Sequence, residues 1–502
     1  MELTVPQAVA ALESKGVRLS VVDGRLQYTG PKGCGQSKEL LWVRQRAREV
    51  LSYLTAHHKS PQNLLPLGAY ARENPAPLTH MQRWWIELEE HVGQKRHPVL
   101  VVEMKSEMHV FAWQRTFSEV VRRHESLRTR FVRAGTNVVS VVDPAAIVPM
   151  AIHDCANDET GAQRVRVGKL LDAARLERFE IIGGTLFRAS LVRLGEQSHL
   201  ALLGVHHALY DGWSGEILRK ELLELYAAFA AGLPSPLPEP RLQLADYAVW
   251  EKHWLKSGGE ADPCGHWEGR LSAAVPMELP GEAPRTRAIV GHPEGIRHFS
   301  LSRENTSELR RFSGECGVSL SETLLAIYAL LLGRWANRGD VLIGNYLACR
   351  ATPGVEELLG CFASNRPMHV AMDWEWSVSR YMEQVHASYL EALDVKRPVS
   401  MKIAWAKGLN RVVANFWWLD EDVSDSPLGS QTSGSLPVNH ELSLVVVATK
   451  SALFGAASYA SDLYSTARIA ALCDDFCDVA CRMPQSVPLR IADVVASLPS
   501  RS

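Results

Sequence analysis

No run in the 502 residues reaches the roughly 18 consecutive apolar residues that a membrane-spanning helix requires. The opening MELTVPQAVAALESKG also lacks the basic and apolar blocks of a secretion signal. The sequence therefore predicts a cytoplasmic protein with no membrane partner. Charge of one sign is missing too: 54 Lys and Arg against 56 Asp and Glu leave a formal net charge of -2. That is too weak a basic field to grip a phosphate backbone, which excludes nucleic acid as an expected partner. The nine cysteines (Cys34, Cys155, Cys264, Cys316, Cys349, Cys361, Cys473, Cys477 and Cys481) contain no CxxC pair, and their odd number and scatter fit reduced thiols. Cys473, Cys477 and Cys481 recur every fourth residue, but no histidine stands beside them to complete a ligand set. They read as a buried stripe on one helix, and no metal is expected.

What the chain does have is an ordinary globular composition, 46% hydrophobic and 22% charged, over a length that suits a few domains at roughly 100 to 200 residues each. Residues 1–57 read as a small α+β unit. Thr4 caps a helix with Val5, Val9 and Leu12 on one face, and Gly16 ends it. Val17, Leu19 and Val21 then alternate with polar residues, Asp23-Gly24 marks a two-residue turn, and Leu26 and Tyr28 alternate on the return strand. After Pro31 and Gly33, a helix over 37–56 carries Leu40, Val43, Ala47, Leu51 and Leu54 on one side and Lys38, Arg44, Arg46 and Arg48 on the other. An exposed hairpin beside a basic helix suits the capture of an extended peptide along a strand edge, the alternative being a plain N-terminal decoration. TGPKG within this unit lacks the Gly and Ser/Thr run of a phosphate loop.

The Pro-, Asn- and His-rich stretch 58–76 reads as a linker. A larger body follows, whose first helix is expected near His109–Glu125, with Val110, Trp113, Phe117 and Val121 on one face. A soft stretch over 256–295, with PCG, LPGEAP and HPEG, divides this body into lobes over 77–255 and 296–502. Two α/β lobes behind a small α+β unit is the organisation expected.

Chemistry concentrates in HLALLGVHHALYDGWSGEILRKELLELYAAF. Leu200–Val205 is a near-continuous apolar run, as in a buried strand. From Ser214 the pattern turns helical through Leu218, Leu222, Leu225 and Phe229. His206, His207, Asp211 and Gly212 fall on the loop between, where a rigid scaffold presents polar groups to a cleft. An imidazole that accepts a proton near neutral pH, an acid that fixes local geometry and a glycine that leaves room suit acyl transfer. A histidine at a strand end is more often structural than catalytic, and His-His as a metal pair lacks a third ligand.

HHALYDGWS matches the HHxxxDG signature of the condensation domains of nonribosomal peptide synthetases, and the chain from about Pro77 to Ala496 resembles that family. RRHESLRTRF (Arg122–Phe131) is similar to its second motif and LADYAVW (Leu244–Trp250) to its fourth. LLGCFASNRP (Leu358–Pro367) is similar to its fifth, keeping Gly360, Phe362 and Asn365. THMQRWWI (Thr79–Ile86) keeps only Gln82 and an aromatic character from the first motif, and DVKRPVS (Asp394–Ser400) little of the sixth. The resemblance implies a two-lobed α/β fold like that of chloramphenicol acetyltransferase. It implies His207 as the catalytic residue, with His206 orienting the loop, and Asp211 as a structural acid paired to a distant arginine, for which Arg350 is the candidate and Arg366 the rival. Gly212 would leave space for the pantetheine arm, and Trp213 would pack rather than react. No bound cofactor is implied, because the phosphopantetheine arm arrives on an acyl or peptidyl carrier protein. GVRLSVVDGRLQYTGPKG resembles the β-hairpin, or TubC-type, docking domains at the N-termini of megasynthase subunits. That likeness implies a C-terminal docking segment of an upstream synthase as partner, held by Val17, Leu19, Val21, Leu26, Tyr28, Lys38 and Arg44.

Neither an adenylation signature nor a carrier motif with a phosphopantetheine serine is present in the sequence. The chain is read either as an excised domain joining two carrier-bound substrates or as a stand-alone enzyme. The layout resembles stand-alone condensation enzymes that release finished chains in enacyloxin-type systems. The acceptor, small or carrier-bound, is a hydroxyl or an amine. An α-amine with a pKa of about 8 attacks a thioester once positioned, whereas a hydroxyl needs a base in the transition state. Intact His206-His207 argues against heterocyclisation, and an opening position argues against epimerisation. A non-catalytic recruitment platform and an acyl-CoA-dependent acyltransferase of the same superfamily are the remaining rivals.

Overall fold

The computed structural model describes residues 18–22, 25–29, 75–92, 97–257, 265–282, 293–350, 352–393, 399–418, 440–496 and 498, with the single positions 12, 40, 43, 46, 50, 67 and 68. Val17, Lys38 and Arg44, the Asp23-Gly24 turn and most of the linker lie outside the described residues. β1 (Arg18–Val22) and β2 (Arg25–Thr29) pair antiparallel, with Leu19 opposite Tyr28 and Val21 opposite Leu26. Two residues of the expected linker touch the main body. Leu67 packs against the Leu244–Phe362 cluster, and the Ala76 N–H donates to the Ser140 carbonyl at 2.8 Å.

The first lobe runs through α1 (His80–Val92), β3 (Val99–Met104), α2 (Val110–Arg123), β4 (Thr129–Ala134), β5 (Asn137–Val142), β6 (Met150–Asp154), α3 (Thr160–Leu176), β7 (Phe187–Gly195), β8 (Ser198–Val205), α4 (Gly212–Ala230) and α5 (Leu244–Ser257). Its sheet has the order β3-β8-β7-β6, and β4 with β5 forms a separate ribbon. β8 is apolar almost throughout because it lies inside the sheet, between β3 and β7, with its residues from His199 onward buried. α2 buries Trp113, Phe117, Val120 and Val121 at helical spacing.

α1 comes earlier than the helix expected first from the sequence, near His109–Glu125. Its start is a reciprocal cap: the Thr79 N–H donates to Gln82 Oε1 (2.9 Å) and the Gln82 N–H to Thr79 Oγ1 (3.0 Å). The one residue kept from the first motif, Gln82, thus belongs to a capping box.

The second lobe comprises α6 (Gly265–Arg270), β9 (Glu294–Leu301), α7 (Arg303–Glu315), α8 (Leu320–Ala336), β10 (Asp340–Leu347), β11 (Ser364–Ala371), α9 (Val378–Ala392), α10 (Met401–Ala406), β12 (Val412–Trp418), β13 (Leu442–Ala448), β14 (Leu453–Ala460), α11 (Thr466–Arg482) and α12 (Ile491–Ala496). Its mixed sheet has the order β11-β10-β12-β13-β14-β9, with β10, β12 and β13 parallel. α8 opens on a Ser319/Glu322 capping box and is buried nearly all round, as the central helix of the lobe must be. No single helix among the described residues is long and apolar enough to cross a membrane. Cys473 is buried on α11 and Cys477 and Cys481 are half-buried beside it; burial pushes the Cys473 and Cys477 thiols up to about 12. Among the described residues, no group of three or more His, Cys, Asp or Glu is arranged to hold a metal.

One stretch breaks the division into lobes. Between β10 and β11 the chain leaves its own sheet, and Leu359 and Cys361 pack into the core of the first lobe.

Candidate functional site

The strand-to-helix loop after β8 is tied at both ends. His206 is fully buried, and its Nδ1 accepts from the Ala208 N–H at 3.0 Å, which holds a single 3-10 turn over His207–Leu209. Asp211 caps α4, its Oδ1 accepting from the Ser214 N–H at 2.9 Å. The helix itself is clamped by the second motif. Arg123 Nη2 donates to Glu221 Oε1 (3.0 Å) and His124 Nε2 lies 2.8 Å from Glu221 Oε2. Burial pushes the Glu221 carboxyl up, but its bonds to His124 and Arg123 outweigh this and bring it down to about 2.

Arg350 pairs with Asp211. Its Nη2 lies 2.9 Å from Asp211 Oδ1, both side chains are only 3% exposed, and the same nitrogen reaches Ser214 Oγ (3.0 Å) and the Gly360 carbonyl (3.1 Å). Nη1 donates to the carbonyls of Val355 (2.8 Å) and Leu358 (2.7 Å), and the guanidinium lies over the Phe362 ring. Cys349, at φ 52, is a non-glycine residue in left-handed backbone, and this turn after β10 presents Arg350. Arg366 sits on β11 instead, with Nη2 at 3.6 Å from Cys349 Sγ. The other Asp211 oxygen, Oδ2, accepts from the N–H groups of Phe362 (3.0 Å) and Ala363 (3.1 Å). The Asp211 carboxylate therefore joins the active loop to the stretch arriving from the second lobe.

His207 is 6% exposed, and its ring stacks on Trp85 of α1 with centroids 4.7 Å apart and planes 9° from parallel. Burial lowers its pKa to about 4, against the opposing pull of the Tyr210 backbone and the Asp211 charge. Burial likewise holds His206 well below the ordinary value and His97, just ahead of β3, at about 3. The His97 ring lies 5.0 Å from that of His206. Burial thus favours the neutral form of all three imidazoles, the form that can accept a proton.

Gly212 does not leave open space. A Cβ at that position would lie 2.5 Å from Cη2 of Trp417, because the end of β12 carries this indole over the first turn of α4. The room that the sequence reading gave to a pantetheine arm is filled by a side chain. Gly212→Ala is accordingly expected to cost about 1–3 kcal/mol from overpacking, read as a lower thermal midpoint. Recovery of that midpoint on adding Trp417→Ala would identify the indole as the cause, and a wild-type midpoint for Gly212→Ala alone would refute the contact. Trp213 is 48% exposed and its Nε1–H donates to the Glu356 carbonyl at 2.9 Å, so it bridges the lobes at the surface.

Sequence reasoning missed Trp85, His97, Ser214, Cys361 and Trp417. Ser214 was legible as the third residue after an Asp cap, and Trp85 stood in the partly kept first motif. His97 and Trp417 carry no local signal, since only the folding of distant strands brings them to the loop.

The family model described as "Condensation domain" matches residues 72–483. A linear gramicidin synthase of Brevibacillus parabrevis is 30% identical over 394 residues, covering 78% of this chain and 7% of that protein. The chain thus spans a small part of the curated relatives' length. The cyclization-docking bidomain of EpoB from Sorangium cellulosum superposes with a TM-score of 0.72 at 19% identity, covering 96% of this chain and 98% of that one. A structure of the condensation domain for chain release from the enacyloxin polyketide synthase gives 0.66 at 19% identity, covering 100% and 97%. This chain shares its fold with both solved structures.

Proposed function

The chain belongs to the condensation-domain family, whose members are acyl-transferring, amide- or ester-forming enzymes, and from that premise we propose that it moves an acyl chain from a carrier-bound thioester to a hydroxyl or amine. In this reading the donor is a phosphopantetheine thioester on an acyl or peptidyl carrier protein. His207 takes the acceptor's proton as the new C–O or C–N bond forms. The tetrahedral intermediate then expels the pantetheine thiolate, which recovers a proton as the free thiol, so the imidazole returns neutral. The observation that carries this reading is a buried imidazole, His207, on the loop beside a carboxylate whose two oxygens are both committed elsewhere. In this reading Asp211, bonded through both oxygens to Ser214, Arg350, Phe362 and Ala363, holds the loop.

Transfer in trans, with release of an assembly-line product in the cytoplasm, extends the proposal. What supports it is the whole-length likeness to a chain-release domain and to a bidomain whose described second part is a docking unit. The hairpin of β1 and β2 would take a C-terminal segment of an upstream synthase along its edge. Deleting residues 1–57 is expected to raise the carrier concentration needed for half-maximal turnover while leaving the saturated rate near wild type. Unchanged turnover at low carrier concentration would sink the docking role.

The deciding experiment is intact-mass spectrometry of an acyl-loaded carrier incubated with the chain and with free amine and hydroxyl acceptors in turn. Loss of acyl mass with a matching ester or amide supports transfer in trans. A carrier that stays loaded until a second, acceptor-bearing carrier is supplied would identify an excised peptide-bond-forming domain. A carrier that stays loaded throughout would favour a recruitment platform without chemistry.

A further inference from the structure

A base that accepts a proton in a buried site needs something to hold its ring and to face the charge it acquires. In His207 the Tyr210 backbone and the Asp211 charge both favour the protonated form, but Asp211 makes its own bonds to Ser214, Arg350, Phe362 and Ala363 and covers neither face of the ring. What lies against the ring is Trp85, parallel to within 9° at 4.7 Å. The indole is itself fixed: it is 6% exposed and its Nε1–H donates to Cys361 Sγ at 3.2 Å. Its helix is anchored at its first residue by the His80 N–H to Glu251 Oε2 bond of 2.6 Å and by the Thr79/Gln82 cap. Cys361 arrives on the stretch from the second lobe, and burial pushes its thiol up, so it stays an uncharged acceptor.

We propose that Trp85, held by Cys361, is the positioning residue of His207, setting the plane of the imidazole and facing the imidazolium with its π surface. The proposal rests on the reading of His207 as the base and names what takes the part a carboxylate plays in other histidine sites. A ring fixed on one face presents its nitrogens to the acceptor in one direction, and misorientation at this scale is costly to rate. A cation over an indole face is also stabilised most where water is excluded. The arrangement reaches across both lobes, since α1 supplies the indole and the β10–β11 stretch supplies its anchor.

Three variants and one spectroscopic probe test it. Trp85→Leu is expected to lower the saturated transfer rate about tenfold or more with the carrier KM unchanged, and Trp85→Phe, which keeps a ring face, to recover most of that loss. With isotope-labelled histidine, the ring proton signal of His207, assigned by its disappearance in His207→Gln, should lie upfield in the wild type. In Trp85→Leu it should move downfield, and its titration midpoint should fall, because the stack favours the charged form. The other titratable or charged groups around the ring are His206, Tyr210 and Asp211 on its own loop, His97 ahead of β3, and Cys361 and Arg350 from the second lobe. None is altered in these two variants. Cys361→Ala, which frees the indole N–H and removes one small side chain from the core while leaving the indole itself in place, should give the same pattern at smaller amplitude and serves if Trp85→Leu fails to fold. An unmoved His207 signal, or a moved signal with unchanged rate, overturns the proposal. Full transfer by His207→Ala measured alongside would overturn the base assignment itself, and Trp85's part in catalysis with it, which separates the two failures.

Discussion

His207→Ala is expected to reduce transfer to a hydroxyl acceptor by about 10² to 10⁴-fold, the range over which a positioned base acts. Transfer to an α-amine should fall less. The amine is partly neutral near its pKa of about 8, and once oriented it attacks without prior loss of a proton. The ratio of the two losses therefore measures how much base catalysis the site supplies. The pH profile follows from burial: His207 is lowered to about 4, so the neutral, proton-accepting form is present above that value and is lost as pH falls through it. The hydroxyl reaction should be level from near neutrality down towards about 4 and then decline, with the amine reaction adding a second limb from the acceptor itself. Single-turnover transfer from a loaded carrier, at saturating acceptor, is the measurement. Equal and small losses with both acceptors would mean that the imidazole does not act as a base.

The second large effect is on the fold. Removing one partner of a buried ion pair leaves an uncompensated charge, a cost of about 3–5 kcal/mol, and Arg350→Ala does this to Asp211. It also strips a donor from the carbonyls of Val355, Leu358 and Gly360. Denaturant unfolding should show a loss of that order, and transfer should be lost with it because the loop bearing His207 hangs on Asp211. Arg350→Lys keeps the charge, but a point charge cannot span acceptors that the guanidinium fork serves on both arms, so an intermediate loss is expected. Arg350→Ala with Asp211→Asn should be less destabilised than the sum of the two single changes, since the buried charge is gone. An unfolding free energy within about 1 kcal/mol of wild type for Arg350→Ala would refute this account.

Much of this was legible from local pattern. The apolar run of β8, the helical spacing of α2 and α4, and the Asp cap between them depend on neighbours in sequence, and they appear where that spacing puts them. The β1–β2 hairpin is of the same kind. Less legible was anything decided by distant pairing. The parallel placement of β12 beside β10 puts Trp417 over Gly212, and no periodicity encodes which strands become neighbours. The excursion of Leu359 and Cys361 into the other lobe was equally hidden, because an apolar residue shows that it is buried but not against which core. α1 was missed although it was readable: its Thr-x-x-Gln cap precedes Met81, Trp84, Trp85 and Leu88 at helical spacing, but it follows a Pro-rich stretch that reads as linker.

The excursion of residues 358–363 bears on how such domains can be recombined. A chimera that exchanged the second lobe within the soft stretch over residues 256–295 would look conservative, since that is where the sequence divides the lobes. It would nevertheless part Asp211 from Arg350, Phe362 and Ala363, and Trp85 from Cys361. The unit of exchange for the active loop is thus discontinuous in sequence. A hybrid would need residues 349–363 to come from the same parent as residues 79–92 and 206–221, whatever the origin of the remaining second lobe.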